Sequence, residues 1–425
     1  MNTKIRLTVL NFLEFAVWGA YLTSMGGYLA SVGLGAYIVY FYSIQGFVSI
    51  IMPALMGIVA DRWMQAQKVL SLCHFLAGGA MIAASMYCIQ ASDKVDFSIL
   101  FGLYSISVAF FMPTIALANS VSYNALDKAG LDAVKTFPPI RVFGTVGFIV
   151  SMWIVDLSGW QTTSIQFLWS GILSVVLALY SMTMPKCETS ANKSNNSFVQ
   201  ALGLEAFKLF RNYRMALFFI FSMLLGCCLQ ITNGYAGPFL QSFGINEMYQ
   251  GTFGVEHSNI LISLSQMSET LCILLIPFFL SRFGIKKVML MSMLAWALRF
   301  GFFAVGNPGD GVWLLILSMI VYGIAFDFFN ISGSLFVDKE TDISIRNSAQ
   351  GVFMMMTNGF GASLGMIVAG WVMNMYTVNE SGLMIDKPGT GGWQEAWTIF
   401  AIYALVVAIL FALLFRYKHV TEKTN

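Results

Sequence analysis

The sequence predicts an all-α membrane protein with twelve transmembrane helices arranged in two six-helix halves. Only 10% of the 425 residues are charged and 57% are hydrophobic, whereas a soluble domain carries about 25% charged residues. Apolar stretches long enough to cross a bilayer core of about 30 Å recur along the chain, six on each side of a polar segment. A net charge of +2 argues against binding of nucleic acid through a basic surface.

The predicted spans define the domain organisation. They lie at about 5–30, 36–60, 68–91, 97–124, 138–156, 162–184, 214–242, 258–281, 287–306, 312–337, 346–376 and 393–416. The chain therefore divides into an N-terminal half (1–184), a polar linker (185–212) and a C-terminal half (213–425).

The positive charges predict the orientation of these spans. With the N-terminus in the cytoplasm, the outside loops contain only Lys94 and Lys387 of the 23 Lys and Arg, and the spans contain only Arg141 and Arg299. Cytoplasmic loops carry the excess of Lys and Arg in membrane proteins. Both termini are therefore predicted to be cytoplasmic.

Three carboxylates lie near the middle of predicted spans. Glu14, Glu269 and Asp327 occupy spans 1, 8 and 10 at similar depth. A charged residue at mid-membrane costs about 2.5–3.5 kcal/mol on insertion scales, so such residues usually serve a function. Because burial disfavours the ionised form, these three residues are candidates for proton coupling.

Amide side chains accompany the carboxylates at helical spacing. The pairs are Gln230 with Asn233, Gln266 with Glu269, and Asp327 with Asn330. Residues three positions apart share a helix face, so each pair can face one binding cavity. The alternative is that such polar groups only hold neighbouring helices together.

A further stripe lies on span 5, where Arg141, Thr145 and Phe148 follow one another at spacings of four and three residues. Phe148 and Phe326 can stack on a planar ring. The alternatives are that Arg141 extends to the cytoplasmic surface and that both Phe residues belong to the packed core.

Neither a metal site nor an enzyme active site is predicted. The six Cys residues do not form a zinc-ligand pattern with His, and His74, His257 and His419 are scattered. No Ser–His–Asp set or nucleotide-binding glycine loop is present, so we expect no cofactor and no metal. Arg299 has no polar companion on its own helix face and is interpreted as structural.

Several segments resemble a known family. The motif Gly57-Ile-Val-Ala-Asp61-Arg62 after span 2 recurs after span 8 as Arg282-Phe-Gly-Ile-Lys286-Lys287, with Ser281 in place of an acidic residue. This pair resembles the cytoplasmic signature of the major facilitator superfamily. The segments Phe137–Phe148, Leu229–Asn233, Ser265–Glu269 and Phe326–Gly333 look like the bacterial nucleoside:proton symporter family. This resemblance extends over nearly the whole chain.

The resemblance implies a major facilitator fold that imports nucleosides with protons across the bacterial inner membrane by alternating access. It also implies a set of substrate or coupling positions. These are Arg141, Thr145, Phe148, Gln230, Asn233, Gln266, Glu269, Phe326 and Asp327. Glu14 is a departure, since a neutral amide is expected there in this family.

The partners expected from this interpretation are a nucleoside, a proton and the lipid bilayer, with the chain acting as a monomer. A sugar or oligosaccharide:proton symporter of the same fold remains an alternative, because hydroxyl-rich solutes need the same amides and acids. A membrane sensor is disfavoured because the linker and C-terminal tail are short. The sequence does not separate purine from pyrimidine nucleosides.

Overall fold

The computed structural model describes residues 2–92, 94–187, 204–342 and 345–417. The polar stretch Glu188–Ser197 of the predicted linker lies outside them. The chain divides into two compact units, Met1–Leu202 and Gly203–Asn425, and each is described by itself.

The N-terminal unit is a bundle of helices connected by short turns. Its helices are α1 (Thr3–Gly19), α2 (Met25–Ser31), α3 (Ile38–Arg62), α4 (Ala66–Ala91), α5 (Phe97–Lys128), α6 (Ala133–Leu157) and α7 (Ile165–Ser181). Helix α1 packs mainly on α6, while α4 packs on α5 and α7. Glycine permits the first contact, because a Cβ atom at Gly147 would collide with the carbonyl oxygen of Phe12, and one at Gly19 with that of Phe148.

The C-terminal unit is also a bundle of helices. Its helices are α8 (Tyr213–Ser242), α9 (Phe253–Glu256), α10 (Ser258–Val305), α11 (Val312–Glu340), α12 (Arg346–Met354), α13 (Ala362–Thr377) and α14 (Gly392–Leu414). A π-helix, Met355–Gly361, connects α12 to α13. Helix α10 packs along α11 and α14, and α8 packs against the π-helix. A Cβ atom at Gly226 of α8 would collide with the carbonyl oxygen of Thr357 in that π-helix.

The helices match the predicted spans with two differences. Among the described residues, nine helices are long and apolar enough to cross a bilayer, and Ile165–Ser181 is a shorter apolar helix. Helix α10 has 48 residues and covers predicted spans 8 and 9, with a break at Gly284, where φ is +75°. Only glycine adopts this conformation readily, so a kink takes the place of the predicted loop.

The other difference concerns the first span. The sequence predicts one helix over 5–30, but α1 ends at Gly19 and α2 begins at Met25. The intervening turn contains Ser24, whose hydroxyl donates to Gln166 Oε1 at 2.8 Å. This bond from α7 stabilises the interruption. Span 1 is therefore a discontinuous helix.

Candidate functional site

The predicted polar residues of the C-terminal half come from α8, α10 and α11. Together with Phe326 and Tyr322, we name them the C-terminal polar cluster: Gln230, Asn233, Gln266, Glu269, Tyr322, Phe326 and Asp327. On α8, Asn233 Nδ2 donates to Gln230 Oε1 at 3.2 Å. The two amides therefore share a helix face, as their spacing predicts.

Tyr322 joins α10 to α11 within this cluster. Its hydroxyl interacts with the Gln266 side chain, and its ring stacks on Phe326 at 5.8 Å with an interplanar angle of 5°. Tyr322 is not among the residues predicted from the sequence. Its position four residues before Phe326 was the available signal, because that spacing places both rings on one helix face.

Arg299 supports Tyr322 from the second segment of α10. Its guanidinium carbon lies 4.7 Å from the centre of the Tyr322 ring, and Nη1 donates to the Ser318 carbonyl at 2.7 Å and to Ser265 Oγ at 3.2 Å. These companions come from other helix segments, so a search along the face of its own helix could not find them. Arg299 is buried, and its contacts fix the position of the tyrosine ring.

Asp327 is the buried acid of the cluster. Its side chain is 4% exposed, and Oδ2 is buried without a hydrogen-bond partner among the described residues. Glu269, which is half-buried, interacts with it electrostatically. A buried polar atom without a partner is costly, so Asp327 is suited to binding a proton or a ligand donor.

A small cavity of about 20 Å³ lies next to this cluster within the C-terminal unit. Its walls combine aromatic rings with amide and hydroxyl groups, as ligand sites do, but it has room for only about one water-sized molecule. The lining residues are Leu225, Gly226, Leu229, Trp296, Ala325, Phe326, Phe329, Asn330, Thr357 and Asn358.

The predicted stripe on α6 lies against α1 within the N-terminal unit. The guanidinium carbon of Arg141 is 3.8 Å from the centre of the Phe15 ring. Thr145 is half-buried. Phe148 is buried and meets the Trp18 ring edge-on at 6.3 Å. Arg141 is therefore held by an aromatic face, and Phe148 contributes to packing between α1 and α6.

Glu14 lies in a second polar group inside the N-terminal unit. Its Oε2 is 2.8 Å from His74 Nε2, and both side chains are 0% exposed. Thr114 Oγ1 donates to Glu14 Oε1 at 2.6 Å, and Ser174 Oγ lies 3.0 Å from His74 Nδ1. The four residues come from α1, α4, α5 and α7.

His74 was treated as scattered in the sequence analysis, and the structure corrects that interpretation. It is 60 residues from Glu14 along the chain, so no local spacing could reveal the contact. The available signal was a histidine inside an apolar span, which needs a polar partner when buried.

Comparison with known proteins identifies the relatives of this chain. Residues 1–420 match the family model described as nucleoside H+ symporter. The chain is 48% identical to the nucleoside permease NupG of Escherichia coli K12 over 429 aligned residues, covering 100% of this chain and 99% of the relative. It is also 48% identical to the xanthosine permease of the same organism, covering 100% of this chain and 98% of that protein.

Solved structures agree with these matches. The crystal structure of the nucleoside transporter NupG superimposes with a TM-score of 0.88 at 48% identity, covering 98% of this chain and all of that one. The D-xylose-proton symporter has a TM-score of 0.67 at 12% identity, covering 97% of each chain. At this low identity, the second match shows a shared fold only.

Proposed function

The chain belongs to the nucleoside H+ symporter family, and from this membership we infer that it imports nucleosides together with protons. It is a transporter rather than an enzyme, and the predicted major facilitator fold is confirmed. It is a multi-pass membrane protein. We propose that it resides in the bacterial inner membrane, acts as a monomer and works by alternating access.

We propose that the C-terminal polar cluster binds the nucleoside and the coupled proton. The observation that carries this proposal is Asp327 Oδ2, a buried carboxylate oxygen without a hydrogen-bond partner among the described residues. Two nearby carboxylates do not both ionise easily in a dry site, so Asp327 and Glu269 bind a proton between them. Gln230, Asn233 and Gln266 then supply donors and acceptors for hydroxyl groups and base edges.

The Phe326 ring supplies an apolar face for a nucleobase. It lies parallel to Tyr322 and lines the neighbouring cavity, so a planar base can stack on it. On the family resemblance, we also assign nucleoside binding to Arg141, Thr145 and Phe148 of the N-terminal half.

Protonation links substrate binding to the conformational change. A cluster with one proton carries less negative charge when it closes away from water. One proton moving down about 100 mV releases roughly 2.3 kcal/mol. At about 1.4 kcal/mol per tenfold change, this energy supports about fortyfold accumulation of a neutral nucleoside.

Uptake into proteoliposomes tests this function directly. Radiolabelled uridine and adenosine should accumulate under an imposed inward proton gradient, and a protonophore should abolish the accumulation. A disaccharide in excess should not compete. Competition by the disaccharide but not by nucleosides would instead favour the sugar symporter of the same fold.

We further propose that both termini face the cytoplasm, as the distribution of Lys and Arg predicts. Single cysteines at Lys193 and Lys387, in a background without other reactive cysteines, provide the test. A membrane-impermeant maleimide should label the second position from outside intact cells and the first only after lysis. Labelling of position 193 from outside would overturn the orientation.

A further inference from the structure

The hydrogen atoms around His74 can be counted from its contacts. Ser174 Oγ is 2.9 Å from the His74 carbonyl oxygen and 3.0 Å from Nδ1 of the same residue. A carbonyl oxygen only accepts, so the single hydroxyl hydrogen points to it. Nδ1 must then carry its own hydrogen and donate to Ser174. In a neutral imidazole, this leaves a lone pair on Nε2.

That nitrogen faces a carboxylate oxygen. His74 Nε2 is 2.8 Å from Glu14 Oε2, whereas Glu14 Oε1 is 2.6 Å from Thr114 Oγ1, whose single hydroxyl hydrogen also has the Phe111 carbonyl oxygen at 2.6 Å. Two atoms with lone pairs do not remain at this distance unless a hydrogen lies between them. The Glu14–His74 pair therefore holds one shared proton, either on the carboxyl group or on the imidazole.

When Thr114 donates to Glu14 Oε1, the shared proton makes the pair neutral in both forms. With the proton on Glu14, both groups are uncharged, and with the proton on His74, a carboxylate faces an imidazolium. Loss of the proton would leave one negative charge on side chains that are 0% exposed. Burial of an unpaired charge costs several kcal/mol, so the proton can leave only when the site opens.

Among the described residues, the contacts that the structure gives for the pair are with neutral groups. Cys73 of α4 interacts electrostatically with Glu14, Thr114 of α5 and Ser174 of α7 are neutral hydroxyls, and the Phe111 ring is edge-on to His74 at 6.1 Å. On α6, Arg141 lies over Phe15. These helices are the ones that pack around the pair.

The pair also joins α1 to α4. Its glutamate is on α1, which packs mainly on α6 and also on α7 and α5, and its histidine is on α4, which packs on α5 and α7. Helix α1 ends five residues after Glu14 and the chain resumes as α2 at Met25. In transporters, interrupted helices commonly form the substrate and ion sites. Separation of α1 from α4 would break the contact between Glu14 and His74 and expose the proton.

We propose that the N-terminal half contains a proton-binding site of its own, the Glu14–His74 pair, whose proton is released when α1 separates from α4. This inference rests on the proposed symport function and adds one transported proton to it. The site binds a proton only, since both ring nitrogens and both carboxyl oxygens already have partners.

The decisive measurement is the number of protons moved per nucleoside in proteoliposomes. Glu14→Gln keeps the bonds of the protonated pair, because an amide N–H replaces the carboxyl O–H as the donor to Nε2, but it cannot release a proton. This variant should move one proton fewer per nucleoside than the wild type and keep nucleoside exchange without a gradient. Glu256→Gln and His257→Asn are matched controls and should keep the wild-type number.

An unchanged proton number in Glu14→Gln would overturn the inference. Failure of the wild type to transport nucleosides at all would instead refute the proposed function, so the two failures are distinct. Histidine ¹⁵N NMR gives a readout that does not need transport, because the chain has three His and His74→Asn identifies one signal. In the wild type, that signal should show a hydrogen on Nδ1, as the contact with Ser174 requires. A bare Nδ1 in the wild type would also overturn the inference, because a neutral ring would then supply the hydrogen on Nε2 and the pair would bind no additional proton.

Discussion

Glu14 in the N-terminal half and Asp327 in the C-terminal half are both buried acids, but their surroundings differ. Both oxygens of Glu14 have a partner on another helix, His74 for one and Thr114 for the other. Among the described residues, one oxygen of Asp327 has no partner, and a second acid, Glu269, lies nearby. The protein thus provides hydrogen-bond partners for both oxygens of Glu14, whereas it leaves Asp327 buried with an unsatisfied oxygen and next to a second acid.

This difference separates two roles that a buried acid can have in a symporter. An acid with an unsatisfied oxygen gains from a ligand or proton that satisfies it, so its proton is linked to the substrate. An acid with partners on neighbouring helices gains nothing from the substrate, and its proton is linked to the contact between those helices. Variants of Asp327 should therefore change the coupling between proton and substrate, whereas variants of Glu14 should change properties that depend on the contact between helices.

The largest effect is expected for Asp327→Asn. The amide resembles the protonated acid in size and charge but cannot release a proton. Nucleoside binding, measured by isothermal titration calorimetry, should remain, whereas accumulation driven by a pH gradient should fall to the equilibrium ratio of about one. Asp338→Asn on the same helix is the matched control, because Asp338 is exposed.

Glu269→Gln should show the same loss if the two acids share the proton. Accumulation of uridine at the wild-type rate by Asp327→Asn would place the coupling proton elsewhere. In that case Glu14 becomes the leading coupling residue, and the division of roles between the halves is reversed.

The second-largest effect concerns stability, and here the variant in the N-terminal half should have a larger effect than the variant in the C-terminal half. His74→Leu leaves the buried Glu14 side chain with a missing partner, and the loss of a buried hydrogen-bond partner costs about 1–3 kcal/mol. Unfolding of the purified protein in detergent should therefore occur at a clearly lower temperature. Asp327→Asn should unfold at the wild-type temperature or above, since Oδ2 has no bond to lose.

His257→Leu is the matched control for this measurement, and the double variant Glu14→Leu/His74→Leu should recover part of the loss. Wild-type stability of His74→Leu would mean that the pair is not a stabilising contact.

The sequence predicts what depends on one helix at a time. Helical spacing predicted that Gln230 and Asn233 share a face, and they are hydrogen-bonded. Hydrophobic length and the distribution of charge predicted the spans, because the bilayer fixes how long an apolar helix must be. These properties are local, so they can be read without knowing which helices are neighbours.

Contacts between helices could not be predicted in this way. His74 reaches Glu14 from another helix, and Arg299 meets Ser265 and Ser318 across two helix segments. The interruption at Ala20–Ser24 also depends on a partner, Gln166 of α7. Tertiary packing determines all three contacts, and packing between helices cannot be read from the pattern of a single sequence.

The third effect concerns affinity and compares glutamines of the two halves. Gln266→Ala removes the partner of Tyr322 and a proposed nucleoside contact, so affinity should fall by about 1–3 kcal/mol, or roughly five- to a hundredfold. Gln230→Ala should act in the same direction.

Gln166 provides the contrast in the N-terminal half. Its side chain is already bonded to Ser24 Oγ and to the Thr163 carbonyl at 2.8 and 2.9 Å. Gln166→Ala should therefore lower the unfolding temperature and leave nucleoside affinity unchanged in calorimetry. Equal loss of affinity in Gln166→Ala and Gln266→Ala would show that both act through the fold.

The smallest effect tests whether burial, rather than distance, makes the Glu14–His74 pair important. Arg214 Nη1 and Glu340 Oε2 are 3.0 Å apart, which is close to the 2.8 Å of the buried pair, but their side chains are 47% and 22% exposed. Water and salt screen such a pair, and exposed pairs contribute about 0–1 kcal/mol.

A double-mutant cycle of Arg214→Gln and Glu340→Gln on the free energy of unfolding should give a coupling in that range that decreases with added salt. The same cycle on Glu14→Gln and His74→Asn should give a larger coupling that salt does not change, because ions do not enter a site that is 0% exposed. Equal couplings in the two cycles would mean that desolvation adds nothing to the buried pair, and the argument that its proton leaves only when α1 separates from α4 would lose its physical basis.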